Sequence, residues 1–202
     1  MLIRWATEND LSAWYELASE VSIIFQHPAD MGLELKAKGS GKSFHNRYPK
    51  FIREAQEEYC PVCNNEPAPD DQLDISVNDT VWICGEYPGQ GRLFGKMYVM
   101  PRKHIFHFED MPKADAAAFM NEVQRVGRAL RKVTGAEKIN YEMHSNTGAH
   151  LHIHLCPRYL DDDFPGKAID LSTPSDPPPY ESYEEFLCFI EQMKKNLNKS
   201  GG

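Results

Sequence analysis

The stretch His150-Leu-His-Ile-His-Leu-Cys-Pro-Arg158 alternates histidine with an aliphatic residue at a period of two. An extended strand accounts for that period, because side chains at i, i+2 and i+4 point to one face. His150, His152 and His154 then share a face, while Leu151, Ile153 and Leu155 enter a core behind it. Imidazoles stepping about 6–7 Å along a core-backed strand cost burial and mutual repulsion if protonated, so near neutral pH they are neutral or liganded. Two chemistries suit such a set. One is metal ligation, and the other is catalysis by a neutral imidazole acting as nucleophile or general base.

A second constellation, Cys60-Pro-Val-Cys63, has the two-residue spacer that lets both thiolates reach one tetrahedral ion. Alone it reads as a zinc knuckle, a redox pair or coincidence. The chain has no second Cys-x-x-Cys, so histidines must complete any site. His104, which closes Met97-Tyr-Val-Met-Pro-Arg-Lys-His104, and His150 make a Cys2His2 set drawn from three separated segments. The other cysteines, Cys84, Cys156 and Cys188, are scattered singly in apolar surroundings and do not form a disulfide framework.

These residues must be held by an α+β arrangement. Leu73–Val77, Val81–Glu86 and Leu93–Pro101 read as a meander of antiparallel strands separated by turn residues. Pro112 opens a helix with Ala116, Phe119, Val123, Val126, Leu130 and Val133 on one face, and Gly135 stands at its C-terminal cap. Two further strands follow at Lys138–His144 and Ala149–Pro157, giving about five strands with the long helix packed on the sheet. Helical extensions flank this unit. Thr7-Glu-Asn-Asp10 begins a helix carrying Leu11, Trp14, Leu17, Ala18 and Val21, and Ser182-Tyr-Glu-Glu185 is a capping box ahead of Phe186, Phe189, Ile190, Met193 and Leu197. The expected organisation is an N-terminal helical appendage over 1–56, a catalytic domain over 57–172, and a proline-rich turn with a helix over 173–202.

Thirty acidic against 22 basic side chains leave a formal charge of -8, which works against a nonspecific grip on nucleic acid polymers or anionic membranes. No apolar run approaches the roughly 20 residues of a membrane helix, and the start of the chain turns acidic before any signal-like stretch develops; a cytoplasmic protein is expected. Local cations can still hold a few phosphates.

Taken together, the motifs resemble the histidine-triad (HIT) superfamily of nucleotide hydrolases and transferases, in its zinc-containing branch. The resemblance runs from about Cys60 to Asp170. It rests on the alternating histidines at 150–156, on Gly95-Lys-Met-Tyr-Val-Met-Pro-Arg-Lys-His-Ile105 as the preceding strand and turn, on the upstream Cys-x-x-Cys, and on Pro-Arg followed by Asp-Asp-Phe-Pro-Gly. It implies a HIT-like sheet and one structural zinc per chain on Cys60, Cys63, His104 and His150. It implies that His152 is the nucleophile toward the α-phosphorus of a nucleotide, with a nucleotidyl-histidine intermediate. His154 would donate to the phosphate oxygens, and Asn146 and Thr147 would contact the phosphate or the leaving group. Lys96 stands where many members have histidine, which makes the phosphate contact there a fixed cation, and Glu86 takes the place of the family's ribose-binding acid. The substrate would be a dinucleoside polyphosphate or an adenylylated amine. A homodimer is the implied assembly. A catalytically weak nucleotide-binding or sensing protein that keeps the zinc is the alternative.

Overall fold

The computed structural model describes residues 48–66, 72–87, 94–146, 148–169 and 178–199, all within one compact unit, His45–Gly202. The helix expected around Leu11–Val21, Thr147 and most of the proline-rich turn lie outside the described residues.

Five strands form one antiparallel sheet in the order β1-β2-β3-β5-β4: β1 Gln72–Val77, β2 Val81–Glu86, β3 Met97–Pro101, β4 Lys138–Glu142 and β5 Ile153–Arg158. The architecture is the α+β arrangement expected from the hydrophobic pattern. A short helix α1 (Tyr48–Glu54) precedes the sheet, α2 (Lys113–Thr134) joins β3 to β4, and α3 (Tyr183–Lys199) follows β5. Among the described residues no helix is long and apolar enough to cross a membrane.

Period-two patterning separates the two faces of the sheet. Val81 and Ile83 of β2, Met97 and Val99 of β3, and Ile153 and Leu155 of β5 are buried against Phe119, Val123, Val126 and Leu130 of α2 and Phe186, Phe189, Ile190 and Met193 of α3. The opposite face carries the functional residues. α2 ends as its sequence prescribes, with Gly135 in the left-handed conformation (φ 69°) and its N–H donated to the Arg131 carbonyl. At the head of α3 the Glu185 N–H donates to Ser182 Oγ at 3.2 Å, and the Glu185 carboxylate accepts the Glu181 N–H at 2.6 Å. Arg125 of α2 joins the two helices by donating to the Leu197 carbonyl.

The histidine segment departs from expectation in one respect. The strand begins at Ile153 rather than Ala149, so His150, at a bend, and His152 lie in the segment that leads into it. The ladder with β3 pairs Met97, Tyr98 and Val99 with Leu155, His154 and Ile153. Two residues further on, Pro101 has no N–H to donate, and the pairing stops. The Leu151 N–H turns instead to the Ile105 carbonyl at 2.8 Å. β4 likewise ends at Glu142, short of His144.

Candidate functional site

Cys60 and Cys63 belong to a tight turn that follows a short 3-10 segment, Glu57–Tyr59. His104 comes from the loop after β3, and His150 from the lead-in to β5. The four donor atoms lie within 4.8 Å of one another. Cys60 Sγ is 3.4 Å from His150 Nδ1, and Cys63 Sγ is 3.4 Å from His104 Nδ1 and 3.6 Å from His150 Nδ1. A tetrahedral ion with bonds of about 2.3 Å to sulfur and 2.0–2.1 Å to nitrogen places those atoms about 3.6 Å apart. The donor set therefore fits one metal ion.

Both histidines are oriented for that task by carbonyls behind them. His150 Nε2 lies 2.8 Å from the Pro101 oxygen, and His104 Nε2 2.8 Å from the Ala55 oxygen. A carbonyl only accepts, so each Nε2 carries the proton and each Nδ1 presents its lone pair to the thiolates' side. His150 is buried, and its pKa is pushed down to about 4, chiefly by loss of solvation.

The same reasoning assigns His152. Its Nδ1 lies 2.8 Å from the His150 carbonyl oxygen, so Nδ1–H is the donor and Nε2 keeps a free lone pair. Burial holds its pKa below the ordinary histidine value, against the raising effect of that bond. Gly148 lies beside the imidazole: a Cβ there would be in ordinary contact with His152 Cε1, at 3.7 Å. Ser145, a non-glycine residue with φ 48°, brings its hydroxyl to the His152 N–H. Its positive φ is a tertiary property with no signal in residue type. Asn146 lies exposed on the same loop.

His154, one step along β5, faces Glu86 of β2 and Lys96. The Lys96 ammonium is 2.8 Å from Glu86 Oε2, a charge contact rather than an aligned hydrogen bond, and the Lys96 side chain is only 5% exposed. His154 Nδ1 stands 4.0 Å from the same oxygen, and it and Glu86 Oε2 are buried atoms without a hydrogen-bond partner among the described residues. Burial, then the neighbouring His152, Lys96 and His144, push the pKa of His154 down to about 3. Lys96 thus meets Glu86 beneath the site, and Glu86 is the member of the pair that lines the cavity.

That cavity has a volume of about 540 Å³. His150, His152, His154, Gly148 and Ala149 form one end. Pro61, Val62, Asn65 and Glu66 of the turn that carries Cys60 and Cys63 also line the cavity, with Glu54 of α1. The floor is the outer face of β1–β3: Gln72, Asp74, Trp82, Cys84, Glu86, Tyr98 and Met100. Most of these floor residues escape sequence reasoning, although the alternation that buries Ile75, Val81, Ile83, Met97 and Val99 places them together on the other face. The converging metal donors are Cys60, Cys63, His104 and His150, so His152 and His154 are left facing the cavity rather than joining His150 on an ion.

Comparisons with known proteins agree with this geometry. Residues 94–161 match the family model of the HIT domain. Among solved structures, a histidine triad protein from Bradyrhizobium japonicum superposes with a TM-score of 0.55 at 21% identity, covering 63% of this chain and 92% of that one. A histidine triad (HIT) protein from Sinorhizobium meliloti 1021 gives 0.53 at 24% identity, covering 62% and 90%. A Zn-bound histidine triad family protein from Mycobacterium smegmatis gives 0.51 at 21% identity, covering 71% and 96%. A search of curated protein sequences returns no match. At these identities the likeness is one of fold: the five-stranded sheet is that of the histidine-triad proteins, and residues 94–161 of the chain match the HIT domain model.

Proposed function

We propose that the protein is a nucleotidyl hydrolase or transferase that attacks the α-phosphorus of a nucleotide through His152. The observation that carries this reading is the His152 Nδ1–H bond to the His150 carbonyl, which leaves an unprotonated Nε2 at one end of a nucleotide-sized cavity. In the first step the Nε2 lone pair bonds to phosphorus while the P–O or P–N bond to the leaving group breaks; the leaving group departs with that electron pair, a polyphosphate as its anion and an amine with a proton taken from solvent. Water, or a phosphate-bearing acceptor, then attacks phosphorus; the N–P electron pair returns to Nε2, which restores neutral His152, and the proton of the attacking water passes to solvent. His154 donates to a phosphate oxygen, and Asn146 and Thr147 contact the phosphate or the leaving group. Lys96 and Glu86 act as a pair, the buried ammonium compensating a carboxylate that faces the substrate.

Zinc suits the Cys2His2 set, with Cys60, Cys63, His104 and His150 as ligands. When bound it supplies a structural crosslink between the turn at 60–66, the loop after β3 and the lead-in to β5. A homodimer is the proposed assembly, with sedimentation equilibrium as its test.

The deciding experiment is nucleotide release, followed by chromatography, from dinucleoside polyphosphates, adenosine phosphoramidate and nucleoside-diphosphate sugars, with His152→Ala in parallel. Nucleoside monophosphate formed by the wild type and absent from the variant is the expected result. Nucleotide trapped on the wild-type protein after a rapid denaturing quench identifies the covalent intermediate. Binding without turnover, from folded protein that carries zinc, would replace the enzyme by the sensing protein.

A further inference from the structure

Side chains of four strands fall in one row across the cavity floor. His154 of β5 is opposite Tyr98 of β3, Tyr98 is opposite Cys84 of β2, and Cys84 is opposite Asp74 of β1. Three strand spacings of about 4.8 Å set the backbone of Asp74 about 14 Å from that of His154. With a phosphate at the histidines, a premise that rests on the function proposed above, the β1 end of the floor faces the base of the nucleotide.

The polar groups at that end are oriented by their own hydrogen bonds. Tyr98 donates its hydroxyl to Gln72 Oε1 at 2.5 Å, which leaves the amide N–H groups as what the Gln72 side chain can offer a ligand. Cys84 donates its thiol to Asp74 Oδ1 at 3.1 Å, which leaves Oδ2 and the second lone pair of Oδ1 as acceptors. Burial raises the pKa of both Tyr98 and Cys84, so both remain protonated and both bonds run in that direction. Gln72 and Asp74 are two apart on β1 and share a face, about 6–7 Å from each other. Both line the cavity, while Leu73 and Ile75 turn toward the core. The result is an amide donor beside a carboxylate acceptor.

We propose that Gln72 and Asp74 select the nucleobase, and that the base they select is guanine. Guanine presents the carbonyl O6 next to two adjacent donors, N1–H and the 2-amino group. The Asp74 carboxylate accepts from both donors in the two-point geometry that makes such pairs strong, and the Gln72 amide donates to O6. Adenine turns an acceptor nitrogen toward the carboxylate and offers one amino group, so it opposes lone pair to lone pair. Hypoxanthine keeps O6 and N1–H but lacks the amino group. A site built to pair polar groups rejects an analogue that leaves them unpaired far more strongly than an apolar pocket does.

The test is calorimetric binding of GMP, IMP, AMP and CMP to the full-length, zinc-loaded protein and to Asp74→Asn, which keeps an oxygen for Cys84 but replaces one acceptor by a donor. Wild type should bind GMP at least tenfold tighter than AMP or CMP, with IMP between them. Asp74→Asn, checked for folding by thermal melting, should lose roughly 10- to 100-fold for GMP and change little for AMP. Equal affinities in the wild type, or equal losses for GMP and AMP in the variant, would overturn base selection while leaving the nucleotide site intact. If none of the four binds to folded wild type, the nucleotide site itself fails and guanine selection falls with it.

Discussion

One backbone carbonyl decides the tautomer of His152. Because the His150 oxygen accepts the Nδ1–H bond, the lone pair of the ring is on Nε2. His152→Ala should lower turnover by roughly 10,000-fold or more while metal analysis still finds about one zinc per chain; loss of zinc in that variant would refute the division of roles between adjacent histidines. His154 yields a pH prediction. Glu86, Lys96, His152, His144 and Tyr98 surround it, and its pKa is about 3 in the fold against about 6.5 in the unfolded chain. Between those values the unfolded state binds more protons. Neutral His154 therefore carries no penalty above pH 6.5, and its burial costs stability progressively as pH falls from there toward 3, by up to about 1.4 kcal/mol per pH unit. Urea unfolding between pH 6.5 and 5 should show a shallower decline in His154→Gln than in wild type. The Lys96–Glu86 pair makes a different claim at the same scale. Lys96→Met strands a largely buried carboxylate and should cost about 3–5 kcal/mol, most of it recovered in Lys96→Met/Glu86→Gln.

Elements position these side chains through the pleat of the sheet and the packing behind it. Apolar alternation, the Pro112 and Gly135 boundaries of α2 and the Ser182–Glu185 box were legible because each is a local rule with a local cause. The start of β5 was not, since it depends on which residue of β3 stands opposite: at Pro101 the partner lacks a donor. Packing at Gly85 shows a similar dependence on a distant element. A Cβ there would sit 2.4 Å from Ile190 Cδ1 of α3, so Gly85→Ala should destabilise by about 1–3 kcal/mol. Ile190→Val removes the obstructing methyl, and a double-mutant cycle by chemical denaturation should show partial recovery. Additive losses would mean that the helix and sheet do not meet as described.

At the scale of the whole molecule the metal site and the cavity are one construction. His150 contributes its Nδ1 to the metal donors and its carbonyl to His152, while Pro61 and Val62, from the turn that carries Cys60 and Cys63, wall the cavity. Cys60→Ser should therefore lower zinc content, thermal stability and nucleotide affinity together; unchanged nucleotide affinity in a zinc-depleted variant would uncouple the wall from the site. The sequence by itself determined the chemistry available: alternating histidines, a thiol pair, the five-stranded α+β pattern, and the two histidines that complete the metal donors. Those features are written in residue type and short spacing. Only the tertiary structure decided which nitrogen of each imidazole is free, that Lys96 is engaged by Glu86, and that Gln72 and Asp74 look into the same cavity as His152. The His104 and His150 tautomers and the shared cavity depend on contacts between residues far apart in the chain, where strand order and register choose the partner; the His152 tautomer depends on how the backbone runs from His150 to His152 as it leaves the ladder.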